Sequence, residues 1–400
     1  DINRIKGATT GDVSATASGT AAVLQGLDAS GGTDTLNLTV SDTASVTHAA
    51  SICDATIGTV SFAAGGLEDT TANLSASNYE ALTKVVAKDD DVVITLSDTT
   101  TTLEASVLKT IGGKTDGNET LSNAHTKIQG TEADLTAALV TADTKVILGG
   151  STATPFEISS GQTGAVDKVN ALAGVTNAGN ITGTITSADG TTLAGGMGNL
   201  DTNDVLAVTI SGTPTITQVN TIAGKTGGVV TATIAAGNYA TQNALTTAAT
   251  DVITLTVNAE ITVTQFDTLN GKTAGDITVS GGVTGTAAEF VSTAGVVTAS
   301  LNALDAQNTN FDVTTSDATN IAQYDAIDGK NGNGSITVAS IADTAANCNP
   351  SGAIHGLFTA NSGIAVALSD TEITAVADIN RIKTATTGDV SATASGTAAV

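Results

Sequence analysis

Three stretches of this chain place apolar residues three apart: Ile216, Val219 and Ile222; Val263, Phe266 and Leu269; Ile321, Tyr324 and Ile327. That interval lines one stripe of a short helix. A Gly-Lys pair follows each stripe, at Gly224 and Lys225, Gly271 and Lys272, and Gly329 and Lys330. The glycine is expected to close the helix in a left-handed conformation, and the lysine to set positive charge at its negative end. Looser copies are Ala105, Leu108 and Ile111 before Gly113 and Lys114; Val166, Val169 and Leu172 before Gly174; and Ile379 with Ile382 before Lys383. Such helices have too few turns to stand without packing.

After each cap the pattern switches to alternation. Segments 34–40 (DTLNLTV), 91–96 (DVVITL), 204–210 (DVLAVTI), 251–257 (DVITLTV) and 276–279 (DITV) read as strands led by aspartate. Leu36, Leu38 and Val40 face one way; Thr35, Asn37 and Thr39 face the other. Several strands are expected to end in a Ser-Asp turn, at Asp42, Asp98, Asp317 and Asp370, where the carboxylate can start the next short helix.

The anchors Ile222, Leu245 and Leu269 follow one another at 23 and 24 residues, and Leu304 precedes Ile327 by 23. The gap of 35 between Leu269 and Leu304 implies an insertion or a coil anchored at another residue. About 24 residues hold a short strand, a turn and a short helix, and are too few for an immunoglobulin-like module of roughly 100. The expected fold is therefore a repeat solenoid, with a parallel β-sheet along one wall and short helices or irregular segments along the other. Tandem β-sandwich domains are the alternative, since alternating threonine-rich strands suit them too.

A longer period lies above the short one. Residues 1–23 return at 378–400 with one difference, Gly7 against Thr384. The chain reads as a window on an array whose 377-residue block holds about 16 degenerate coils, residues 1–377 forming one block and 378–400 starting the next. At about 4.8 Å per stacked strand a block would advance on the order of 75 Å. A coil cannot bury its own core, so each needs neighbours above and below.

Composition narrows the function. The 40% apolar share contains no Trp, three Tyr and six Phe, which suits thin stacked layers. Thirty-nine acidic residues against 14 basic ones leave a net charge of -25, so nucleic acid and anionic membrane surfaces are poor partners, and divalent cations are natural counter-ions. Cys53 and Cys348 make no disulfide framework and are expected to be isolated and inert. No run reaches the roughly 18 apolar residues of a membrane helix.

Few motifs carry chemistry. The Gly-Lys-Thr triplets lack the earlier glycine of a phosphate loop, because Leu108, Val219 and Phe266 stand there. His48, His125 and His355 are widely separated, show no ligand spacing, and are expected on the surface or in loops. No catalytic residue is assigned, and an enzyme is not expected. The acidic turns are the remaining candidates: Asp42, Asp98, Asp317 and Asp370, with Asp89, Asp90 and Asp91, could hold structural calcium if stacking aligns their carboxylates with carbonyl oxygens.

The aspartate-led strands, the SDTA turn at 41–44, the DTAAN turn at 343–347 and the stretch 263–279 (VTQFDTLNGKTAGDITV) carry a resemblance. In these the chain resembles the very large repetitive secreted proteins of marine bacteria, especially cyanobacterial cell-surface proteins, some associated with an outer layer, adhesion or non-flagellar swimming. The resemblance implies an extracellular, cell-surface location and no catalytic residue. The expected function is a structural repeat protein of a filament, sheath or surface layer, with other copies of the same repeat as partners. The alternative is the stalk of a giant adhesin presenting a distal binding domain.

Overall fold

A computed structural model describes residues 1–29, 33–62, 65–75, 79–99, 102–123, 125–142, 146–150, 152–371 and 376–393. The chain divides into two compact units, one of residues 1–209 and 224–229, the other of residues 210–223 and 230–400. In both, short helices alternate with strands whose sheets are all-parallel.

In the first unit Ser14–Gly19, Thr35–Val40 and Val60–Ser61 form one sheet, with Ser14 opposite Thr35 and Leu38 opposite Val60. Leu67–Asp69, Ile94–Leu96, Glu119–Leu121 and Val146–Leu148 form a second. Thr102–Glu104, Lys127–Gly130, Thr154–Ile158 and Ala178–Asp189 pair in that order in a third. Strands of the second and third sheets alternate along the chain, so each segment in this stretch supplies two short strands and a helix, where one strand was expected. In the second unit Val230–Thr233, Val252–Val257 and Ile277–Val279 pair in order. Beside them in sequence run Ile261–Thr262, Val283–Gly285, Val313–Thr319, Ile336–Asp343, Ala365–Leu368 and Val390–Ser391, again parallel and in order. Parallel neighbours throughout are the opposite of the hairpin pairing on which a chain of sandwiches is built.

The helices fall where the stripes predict them: Ala105–Gly112, Val166–Ala173, Ile216–Ala223, Val263–Asn270, Ile321–Asp328 and Val376–Ala385. Val263, Phe266 and Leu269 are buried together on one face. Threonine starts many of the chain's short helices: the side chains of Thr70, Thr131, Thr262, Thr286, Thr298 and Thr344 each accept from a backbone amide in the first turn. Thr262 with Gln265 and Thr286 with Glu289 complete capping boxes.

The strands alternate as expected, with Leu36, Leu38 and Val40 buried against exposed Thr35 and Asn37. All six phenylalanines are buried, Phe156, Phe266 and Phe290 completely. Cys53 and Cys348 are free and buried, and burial pushes both thiols up to about 12, which leaves them protonated and unreactive.

Two local expectations fail. Gly113, Gly271 and Gly329 have φ of -72°, -72° and -68° with ψ near zero, and Gly224 has no positive φ either. These caps are right-handed, so the helices close without the left-handed turn. The two copies of the long repeat agree: Gly7, also right-handed at φ -69°, is replaced by Thr384 within the helix Val376–Ala385. The second failure is the turn at Ser316 and Asp317. It lies inside the strand Val313–Thr319, where the register to Ile336–Asp343 shifts between Thr315 and Ala318 and forms a bulge.

Candidate functional site

The chemistry of this chain is concentrated in a junction between one segment and the one before it, which recurs at Thr56, Thr115, Thr226, Thr273 and Thr386. Its centre is a buried threonine with a glycine two residues on. Thr273 Oγ1 lies 3.0 Å from the carbonyl oxygen of Asp251 and 2.8 Å from that of Ile253, and accepts from the Ile253 amide at 2.7 Å and the Gly275 amide at 2.8 Å. Thr226 repeats the set with Asp204, Leu206 and Gly228, and Thr56 with Asp34, Leu36 and Gly58. Thr115 bonds Val92 O at 2.6 Å and accepts from Gly117, and Thr386 bonds Ile364 O and accepts from Gly388. One hydroxyl thus satisfies backbone groups that burial would otherwise strand.

The glycine is required by distance. A Cβ on Gly275 would lie 2.6 Å from the Ile253 carbonyl oxygen, on Gly228 2.3 Å from that of Leu206, and on Gly58 2.3 Å from that of Leu36. Two backbones meet here with no room for a side chain. The Gly-Lys-Thr triplets carried this signal, since Thr115, Thr226 and Thr273 are their third members and a glycine stands two positions later.

Aspartates make the second part. Those that lead strands accept from the neighbouring strand: Val13 N to Asp34 Oδ1 at 2.7 Å, Ile181 N to Asp204 Oδ1 at 2.7 Å and Val230 N to Asp251 Oδ1 at 2.8 Å. Asp34 also pairs with Lys6 at 2.8 Å, both side chains 5% exposed, and the ammonium holds the carboxyl below the usual carboxylate range, helped by the Val13 amide.

The turn aspartates named as calcium candidates cap helices, but not the helices that follow them. Asp42 accepts from Ala21 N at 2.6 Å, Asp98 from Thr71 N at 2.7 Å, Asp317 from Ala287 N at 2.6 Å and Asp370 from Ala345 N at 2.7 Å. Each donor is the first residue of a helix 21 to 30 positions earlier, so the carboxylate sits at the positive end of the preceding segment's helix. Asp69 and Asp343 do the same for Val46 and Ile321. In the acidic run, Asp89 accepts from Phe62 N at 2.6 Å, and its carboxyl is raised by burial despite that amide, with Asp91 adding to the effect. Asp90 contributes its carbonyl oxygen to Thr115 and to Asp116 N, while the Asp91 carbonyl oxygen packs against Gly117.

Among the described residues no three His, Cys, Asp or Glu side chains converge as a metal-binding set. Calcium held at these turns in addition to the amides would make the melting temperature higher in calcium than in chelator. Superimposed melting curves would assign the turns to capping alone.

The lysines also reach backwards. Lys272 Nζ donates to the carbonyl oxygens of Asn243 at 2.6 Å and Leu245 at 2.8 Å, just beyond the helix Tyr239–Gln242. Lys225 donates to Gly198 O at 3.1 Å, Lys330 pairs with Asp305 at 2.8 Å, and Lys114 lies 5.6 Å from the Tyr79 ring centre. The expected charge complement of a helix end is present, but for Lys272 the end belongs to the preceding segment.

Of the histidines, His355 pairs with Asp325 at 3.0 Å and stands edge-on to Tyr324. His125 stands in a loop, as expected, but is only 5% exposed; burial lowers its pKa, against the pull of Asp98. Glu119 is fully buried, and neither of its carboxylate oxygens has a hydrogen-bond partner among the described residues. No helix among the described residues is long and apolar enough to cross a membrane. No protein family, curated protein or solved structure matches this chain.

Proposed function

We propose that the chain is a solenoid of stacked segments and that it serves as a structural, extracellular repeat protein of a filament, sheath or surface layer. The observation that carries this reading is the recurrence of one junction: a buried threonine bonded to a carbonyl oxygen of the preceding segment, with a glycine two residues on, at Thr56, Thr115 and Thr226 in one unit and Thr273 and Thr386 in the other. Side chains that would perform chemistry in an enzyme are spent here on holding one segment to the next. Repetition of the first 23 residues at 378–400 extends the same logic to a longer scale, since a repeated module multiplies span and contacts at constant chemistry. The strong acidity and the resemblance to secreted cell-surface proteins support the location.

Electron microscopy of material isolated from the source cells tests the proposal. Laterally ordered assemblies with a constant axial repeat on the order of 75 Å per long period are expected. Isolated smooth threads tipped by a different density would favour the adhesin stalk. A string of separate compact bodies, each with its own closed interior, would overturn the solenoid itself.

A further inference from the structure

The second sheet of the first unit stops in mid-chain, and its last strand has an open edge. Leu67–Asp69, Ile94–Leu96, Glu119–Leu121 and Val146–Leu148 pair in that order, and no further strand among the described residues pairs with Val146–Leu148. The cause lies in the connection that follows. Between the helix Glu132–Leu139 and the strand Thr154–Ile158 the chain lays down Val146–Leu148 on its way. From the next helix, Val166–Ala173, it turns directly into Ala178–Asp189, which pairs with Thr154–Ile158 in the third sheet. The second sheet gains no strand from that segment.

Beside the edge runs a groove of about 490 Å³, lined by Leu139, Val140, Ala171, Val175 and the edge strand itself, with no charged residue in its walls. Val140 and Ile147 are 38% and 46% exposed. Asn177, at a left-handed φ of 62°, donates from Nδ2 to Leu148 O at 2.9 Å. That bond shows which way the edge points. In a strand the N–H and C=O of one residue face the same side and those of the next residue the other, so the Leu148 N–H and both Val146 groups also face away from Glu119–Leu121. No described residue bonds them.

We propose that this edge and groove are a strand-addition site, which receives an extended, uncharged peptide of a partner protein, apolar at alternate residues, as the fifth strand of the sheet. The occupant's chemistry follows from the site. A row of unpaired N–H and C=O groups is matched by another backbone in extended form, and the apolar walls beside it take every second side chain of that backbone. With no charge in the groove, recognition rests on backbone bonds and apolar burial. The sheet's own strands have the same form, Ile94 and Leu96 being buried on either side of a half-buried Thr95.

Fluorescence anisotropy with the full chain tests the site, using a synthetic, fluorescein-labelled peptide VITLTV copied from the strand Val252–Val257. Saturable binding is expected, with slowed hydrogen exchange at the Val146 and Leu148 amides. A peptide with asparagine in place of its isoleucine and leucine is expected to bind at least about tenfold more weakly. Val146→Pro removes one edge N–H at a position where an outer strand tolerates proline, and is expected to weaken binding roughly tenfold, the worth of one hydrogen bond. Ala171→Phe fills the groove from the helix without touching the edge and is expected to weaken it by a similar factor; circular dichroism checks that both variants keep the fold. No saturable binding by the unaltered chain, equal binding of the asparagine peptide, or unchanged affinity in Ala171→Phe overturns the proposal. So does a chain that light scattering finds dimeric and that Val146→Pro returns to a monomer, since the edge would then belong to a second copy.

Discussion

Gly275→Ala is expected to destabilise the second unit by about 1–3 kcal/mol, the range for forcing extra atoms into a packed site, while Gly271→Ala, four residues away, leaves stability unchanged or raises it. The two glycines look interchangeable in the sequence GKTAG. At Gly271 the backbone is right-handed, and a new Cβ meets only its own helix, 3.5 Å from Asp267 O. Alanine there restricts the unfolded chain and fits the folded one. At Gly275 the new Cβ would stand 2.6 Å from both C and O of Ile253, backbone atoms that move only if the strand pairing opens. Thr273→Val probes the same contact by another route. It keeps the shape but leaves the Ile253 and Gly275 amides without their acceptor, a cost of about 1–3 kcal/mol for each buried group, whereas Thr273→Ser retains the hydroxyl and most of the stability. Urea unfolding followed by circular dichroism measures all four. Equal losses for Gly271→Ala and Gly275→Ala would show that helix closure, not close approach, is what the glycines provide.

Much of the secondary structure was legible because local periodicity reports it. The stripe Val263, Phe266, Leu269 yielded the helix Val263–Asn270, and the alternation at 34–40 yielded Thr35–Val40. Parallel sheets with helices followed from segment length. What eluded the sequence were partners in the neighbouring segment. Asp42 looks like a cap for the helix just after it, yet its carboxylate serves Ala21, 21 residues back. Lys272 looks like a complement to its own helix and instead serves Asn243 and Leu245. Local grammar names the kind of bond correctly and cannot say across which gap it is made, because the offset is set by which strands pair in the parallel sheets. The same reason hid the buried threonines, which composition presents as ordinary strand and turn residues. Where local reading named a conformation outright, at the left-handed glycine caps, it erred, and the replacement of Gly7 by Thr384 was a signal already present in the sequence.

Glu119→Val is expected to act in the opposite direction, raising stability at neutral pH by about 1–3 kcal/mol, the cost of a buried polar group left unpaired. Glu119 opens the strand Glu119–Leu121, between Ile94 and Val146 on the neighbouring strands, all three facing inward. Burial pushes its carboxyl well above the ordinary 4.5, although the Gly112 backbone pulls the other way. An acid whose pKa is higher folded than unfolded binds its proton more tightly in the native state. Its contribution is therefore most favourable below the unfolded value and is lost as pH rises through the folded one. The native chain should lose stability over that window relative to Glu119→Val, and the two should converge in this respect as pH falls below 4.5. Glu119→Gln isolates ionisation from polarity: it removes the pH dependence but keeps an unpaired polar group, so its stability at neutral pH should fall between the other two. Valine continues the apolar pairing of Ile94 and Val146 and suits a strand buried on this face. Urea midpoints for the three proteins between acid and neutral pH decide the matter. A Glu119→Val chain no more stable than the parent at neutral pH, or a gap that does not narrow in acid, would mean that the carboxylate has found compensation in solution, and the strand would then have to open to water at that point.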